Sequence, residues 1–262
     1  MQQTQRQTGR RALGATPLDD GLVEFAVWAP QARQVEVEVR GERHALAAAG
    51  DGFHEAAVPA APGDDYRYVL DGGDGWPDPC SRFQPDGVRG PSRVVDTADL
   101  AIAAGPRLAL EELVLYELHV GTFTPEGTFD AVIPRLAELR ELGVTAIELM
   151  PVATFPGDRG WGYDGLYTSA PHPAYGGPEG LARLVDAAHR EGLGVFLDVV
   201  YNHVGPGNEA LTAFGPYFTD RFGQTPWIYL ALLVPAALAG LAWYLSFRSW
   251  RRPYEPVARD KP

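Results

Sequence analysis

The chain is poor in sulfur and in positive charge. One cysteine, Cys80, and two methionines occur in 262 residues. A lone cysteine excludes an intrachain disulfide and a dithiol redox pair, so Cys80 is expected as a small buried or semi-buried residue. Basic residues number 22 against 34 acidic ones, for a net charge of −12. The last 36 residues hold five cations and two anions, so the first 226 carry −15. That balance excludes an ordinary nucleic-acid surface and fits a neutral ligand. The opening MQQTQRQTGRR has no apolar core of a secretory signal, so the first 226 residues are expected in the cytoplasm. Hydrophobic residues make up 45% and charged ones 21%, enough to bury a core.

What is present begins as β structure. LVEFAVWA (22–29), QVEVEVR (34–40) and DDYRYVLDG (64–72) alternate polar with Val, Phe and Tyr, as half-buried strands do. Tyr66, Tyr68 and Leu70 share one face, and Asp51-Gly52 marks a turn within 48–58. Short strands with this punctuation predict a β-sandwich over 7–100, with Trp28 in its core. Residues 74–93 hold too many Pro and Gly for a regular element and read as a connector.

The pattern then becomes β-α-β-α-β. ELVLYELHV (112–120), VTAIELMPV (144–152) and VFLDVVYNH (195–203) are apolar strands. Between them lie a helix within 129–143 and another over 178–194. The first is expected to start near Ile133, with Pro134 in its first turn, Leu136, Leu139 and Leu142 near one face, and Gly143 as its cap. Strands apolar on both faces predict a parallel sheet covered by helices. The 151–177 connection is long and holds GWGYDG, at the strand end where such folds place their sites. DVVYNH (198–203) sets an acid, an amide and an imidazole at the same end.

YELHVGTFTPEGTF, ELMPVATFPGDRGWGYDG, the run from APHPAYGG to DVVYNHVGPGN, and FGPYFTDRF together resemble the α-amylase superfamily, glycoside hydrolase family 13. Within it the wording is most like the malto-oligosyltrehalose trehalohydrolases; branching and isoamylase-type debranching enzymes share the plan. FAVWAPQARQVEVEV resembles the start of the early-set, carbohydrate-binding-module-48-like sandwich that precedes their barrel. The resemblance implies a (β/α)8 barrel that cleaves α-1,4-glucosidic bonds without a cofactor, acting on malto-oligosaccharide or malto-oligosyltrehalose. It implies that 108–226 supply three of eight βα units. The nucleophilic Asp, acid Glu and third Asp would follow strands 4, 5 and 7, so no catalytic carboxylate is assigned here.

By the same resemblance His203 hydrogen-bonds the sugar, Tyr163 stacks on its ring beside Asp164, and Asp198, Asn202 and His119 support the site. Asn202 ligates calcium in many amylases; no metal is assigned, and a structural hydrogen bond is expected. Asp198 needs a partner if buried, and the arginine that the family supplies after strand 4 is not found. Trp161 is read as loop packing.

Residues 227–247 form a 21-residue uncharged run flanked by Trp and Tyr and followed by Arg248, Arg251 and Arg252 in a basic tail, 248–262. Such a run is long enough to cross a bilayer; a buried core helix is the other reading. Arginines after the span would place the C-terminus inside and send a folded domain across the membrane. The tail is therefore either an anchor set against the charge rule or not a native partner of this domain. An anchored chain should stay with membranes through carbonate extraction, and release as soluble protein would dispose of the anchor.

Overall fold

The computed structural model describes residues 12–218. Ten short strands precede the middle of the chain: β1 (Gly14–Pro17), β2 (Leu22–Trp28), β3 (Val35–Val39), β4 (Glu42–Ala45), β5 (Ala47–Ala48), β6 (Phe53–Pro59), β7 (Asp65–Leu70), β8 (Gly75–Trp76), β9 (Ser92–Arg93) and β10 (Leu115–Leu118). The first nine form two antiparallel sheets, ordered β1-β2-β6-β5 and β4-β3-β7-β8, with β9 also paired to β7. The sandwich therefore runs from Gly14 to Arg93, inside the expected 7–100.

Alternation decides the faces. Val35, Val37 and Val39 point inward while Glu36 and Glu38 lie between them, and Phe25 meets Tyr66 edge-on at 5.0 Å. Asp51 and Gly52 both take positive φ, at 52° and 81°, which suits the two central positions of a type I′ hairpin turn. Trp28 packs edge-on against Tyr217 at 5.2 Å and donates from Nε1 to the Asp51 carbonyl at 3.0 Å.

The Pro- and Gly-rich connector is built on a buried polar knot that the sequence reading missed. Asp78, Ser81, Gln84 and Ser92 are fully buried. Tyr66 donates its hydroxyl to Asp78 at 2.6 Å, the Cys80 N–H donates to the same carboxylate at 2.7 Å, and the Ser92 hydroxyl accepts from Asp78 N–H and from the Gln84 amide. Burial pushes the Asp78 carboxyl up to about 6, against the pull of Tyr66, Cys80 N–H and Arg82. Cys80 is semi-buried; burial and the Asp78 charge push its thiol up to about 12.

Four further strands and five helices complete the described chain: β11 (Ala146–Leu149), β12 (Ala153–Thr154), β13 (Tyr167–Pro171) and β14 (Gly194–Leu197), with α1 (Val120–Phe123), α2 (Phe129–Val132), α3 (Leu136–Glu141), α4 (Gly177–Arg190) and α5 (Glu209–Phe214). β10, β11 and β14 pair in parallel, in that order. α2 starts at Phe129, four residues before the expected Ile133, because the Thr128 hydroxyl accepts from the Ala131 N–H. Pro134 sits in a 3-10 turn, Ile133–Arg135, between α2 and α3. Leu136 and Leu139 are buried, but Leu142 is 75% exposed, since it lies past the last turn of α3. Gly143 follows with φ 98°. α4 buries Ala182, Leu184 and Ala188 on one side and turns Arg183 outward to a two-bond pair with Asp130, at 2.8 Å each.

β14 stops at Leu197 rather than reaching His203. Its last rung is Asp198 N–H to the Leu149 carbonyl, 2.9 Å, and β11 ends at Leu149, just before Pro151. Nor is β14 covered as a parallel strand inside a sheet would be. Phe196, Leu197 and Val199 are each about 45% exposed, with no strand beyond β14 among the described residues. α5 turns back to the sandwich instead. Phe214 is fully buried in the sandwich core, and Tyr217 donates to the Trp28 carbonyl at 3.0 Å. No helix among the described residues is long and apolar enough to cross a membrane; 227–247 lie outside them.

Two predictions follow from packing and burial. Asp78 titrates higher when folded than the ordinary 3.8, so its linked stability is full below about pH 4 and is lost as pH rises through about 6, on the order of 3 kcal/mol. The urea midpoint of wild type should therefore gain on Asp78→Asn as pH falls from 7 to 5; parallel profiles would refute this. A β14 edge with no partner strand among the described residues should promote association, so Phe196→Lys with Val199→Lys should lower light scattering by the purified chain, and unchanged scattering would point to another surface.

Candidate functional site

The C-terminal ends of β10, β11 and β14 deliver His119, the Pro151 loop and Asp198 to one end of the sheet. The GWGYDG loop lies across this end because of Gly162. Its φ is +87°, and a Cβ there would come within 1.8 Å of the Pro151 carbonyl oxygen. Only glycine lets the loop press so closely on the strand end.

Tyr163 ties the loop to DVVYNH. Its hydroxyl donates to Asp198 Oδ2 at 3.0 Å, and its carbonyl lies 3.0 Å from His203 Nε2. Asn202 Nδ2 is 3.0 Å from His203 Nδ1. One arrangement satisfies both ring contacts: Asn202 donates to Nδ1, and Nε2 carries the proton and donates to Tyr163. The structure thus gives Asp198 a tyrosine partner in place of an arginine. Asp198 is only half-buried, so the demand expected of a buried acid is smaller than the sequence suggested.

Asp164 is exposed, and its backbone is what packs: a Cβ on Gly205 would meet the Asp164 carbonyl oxygen at 2.2 Å. Gly205 N–H donates to the Gly165 carbonyl at 3.3 Å, zipping the two segments together. His203 and Asn202 are also exposed, and Tyr163 is 38% exposed. The ring and the imidazole can therefore meet a ligand without displacing core.

Two carboxylates escaped the sequence reading. Glu117 on β10 and Glu148 on β11 are paired in register and, with Asp198, raise the Tyr163 phenol above its usual value; the largest cause is the hydrogen bond to Asp198. The signal was available: YEL and IEL each set one acid in an apolar strand, and parallel pairing aligns them.

His119 does not join this group. Its Nε2 lies 2.8 Å from the Gly160 carbonyl and 3.1 Å from the Tyr175 hydroxyl, and Nδ1 lies 3.0 Å from the Thr122 hydroxyl. Tyr175 itself donates to Gly160 at 3.2 Å. These bonds clamp the loop just before Trp161. Trp161 does not pack the loop as expected: it is 73% exposed, because Gly162 anchors the backbone while the indole projects outward. Among the described residues no cluster of three or more His, Cys, Asp or Glu could hold a metal.

A parallel β/α sheet with a tyrosine, a histidine and an aspartate converging at its C-terminal end, behind an antiparallel sandwich, defines an amylase-type glycoside hydrolase module. The Alpha amylase, catalytic domain family model matches residues 74–215, more than half of the chain, and the chain belongs to that family. The Carbohydrate-binding module 48 (isoamylase N-terminal domain) model matches residues 12–86. Among particular proteins, it is 53% identical over 219 residues to the malto-oligosyltrehalose trehalohydrolase of Deinococcus radiodurans, covering 82% of this chain and 36% of that one. The trehalohydrolase of Saccharolobus solfataricus is 45% identical over 213 residues, covering 80% and 38%. Among solved structures, a putative α-amylase from Salmonella typhimurium superposes with a TM-score of 0.77 at 43% identity, covering 83% of this chain and 38% of that one. A pullulanase from Anoxybacillus sp. LM18-11, complexed with maltotetraose, superposes with a TM-score of 0.66 at 26% identity, covering 78% and 37%. The chain spans just over a third of the length of the curated relatives it matches.

Gly162→Ala should cost roughly 2 kcal/mol or more, from positive-φ strain and the clash with Pro151. Gly157→Ala, at φ +80° with nothing within 4 Å of its Cβ, should cost about 1 kcal/mol from the backbone alone. Thermal melts of the two variants check this, and equal losses would show that the Pro151 contact is not what holds the loop.

Proposed function

We propose that this chain carries the glucan-binding wall of a trehalohydrolase-type α-glucan hydrolase, whose whole activity is hydrolysis of the α-1,4 bond that releases trehalose from a malto-oligosyltrehalose end. The observation that carries the reading is the Tyr163 junction, where a partly exposed ring is held by Asp198 at its hydroxyl and by His203 at its backbone. Identities of 53% and 45% to proteins named for that activity support the same choice of substrate.

The chemistry suits a neutral sugar. The Tyr163 face offers the C–H surface of a pyranose apolar contact. His203, with Nε2 donating to the Tyr163 carbonyl, can turn that donor to a sugar hydroxyl. Asp198 keeps the ring from rotating away, and Asn202 keeps the imidazole in one tautomer. Asp164 lies next to the ring and is free to accept from a hydroxyl. The carboxylates that the family resemblance places after strands 4, 5 and 7 have no counterpart among the described residues. The described residues by themselves are therefore equipped to bind α-glucan, not to turn it over. A retaining hydrolase needs two carboxyl groups about 5 Å apart across the scissile bond.

Affinity electrophoresis in glycogen tests binding, and trehalose release from malto-oligosyltrehalose tests turnover. The wild-type chain should be retarded in the gel and release no trehalose. Tyr163→Ala or His203→Ala should weaken retardation about tenfold, equivalent to about 1.4 kcal/mol. An unretarded wild type would defeat the reading, and robust trehalose release would defeat its binding-only part.

A further inference from the structure

We infer that Trp161 and the cavity beside it form a second sugar subsite, taking a neutral α-linked glucosyl unit of the chain whose neighbouring residues meet Tyr163. The inference rests on the glucan reading above and deepens it.

Trp161 is the most exposed large aromatic of the GWGYDG loop, at 73% against 38% for Tyr163. It borders an open cavity of about 640 Å³, also lined by His119, Tyr175, Glu126, Asp158 and Arg159. That volume lies within the range of small-molecule sites. The floor is rigid: His119 and Tyr175 both hold the Gly160 carbonyl, at 2.8 and 3.2 Å, and the next anchor is Gly162 against Pro151. The indole is thus pinned on both sides through its backbone while its ring is left bare. Leaving so large an apolar ring in water is unfavourable unless something covers it.

The polar groups around the ring are equally unspent. Glu126, Asp158 and Arg159 are exposed, and none makes a hydrogen bond or an ion pair with another described residue. Two carboxylates and one guanidinium supply acceptors and paired donors for vicinal hydroxyls. Their net negative charge disfavours an anionic sugar. A flat apolar ring with a rim of exposed acceptors and donors suits a neutral pyranose, whose faces carry C–H and whose edges carry O–H. Only Gly162 separates Trp161 from Tyr163 along the chain. Tyr163 meets the unit nearest the Asp198–His203 junction, and Trp161 a unit farther along.

Calorimetry with maltoheptaose on the full 262-residue chain, held in mild detergent, tests this. Trp161→Ala should weaken binding at least tenfold and leave the thermal melt unchanged, since the ring is exposed. Trp161→Phe should restore most of the affinity. Arg159→Ala should weaken binding severalfold, and a wholly anionic oligogalacturonate should not compete. Trp161→Ala binding within twofold of wild type, while Tyr163→Ala is weakened, would overturn this subsite and leave the glucan reading standing. No maltoheptaose binding by wild type would overturn both.

Discussion

The parallel pairing of β11 with β10 on one side and β14 on the other is the constraint on which the functional end of the molecule depends. Ala146, Ile147 and Leu149 are fully buried, so β11 is covered on both faces, as the central strand of a parallel sheet is. Because the strands are parallel, their C-terminal ends fall at one end of the sheet, and residues 11 to 49 positions apart arrive together. The Pro151 carbonyl receives Gly162, the Leu149 carbonyl receives Asp198 N–H, and Tyr163 then closes the loop onto Asp198.

A second constraint joins the two sheet systems. The sandwich does not complete its own core: Phe214, from the segment after β14, is fully buried against Tyr68 at 6.0 Å. Residues 99–110 work in the other direction, since Ala103 is held at its N–H by Asp186 and at its carbonyl by His189 of α4. Sandwich and barrel segment therefore cannot be treated as beads on a linker. A change in α5 is a change in the sandwich core.

Much of this was legible because it depends on periodicity. Val-x-Val-x-Val over 35–39, the two tyrosines of β7, and the strand–helix alternation after residue 112 each carry a spacing that one geometry satisfies. Tyr163 and His203 were legible through motif wording rather than through physics, since nothing in one dimension says that residue 163 meets residues 198 and 203. Helix onset lies at Phe129 rather than near Ile133, because a capping threonine, Thr128, decides it and not Pro134. The end of β14 was misplaced because the apolar run continues through Val200, and composition does not say where a pairing partner stops. The Asp78 knot was invisible because 74–93 is rich in Pro and Gly, and its hydrogen bonds join residues 2 to 14 apart with no repeat.

By itself the sequence determined the class: an alternating antiparallel sandwich followed by β/α units with an amylase-like set of polar residues at the strand ends. It could do so because burial patterns and local turn chemistry are short-range. Tertiary structure alone decided who partners whom. Asp198 accepts a hydrogen bond from a tyrosine rather than pairing with an arginine; His119 holds a backbone carbonyl away from the Tyr163 junction; and Trp161 faces solvent, not the loop. Each of those outcomes depends on where a backbone is pinned, at Gly160, Gly162 and Gly205, and such long-range contacts leave no period in the chain.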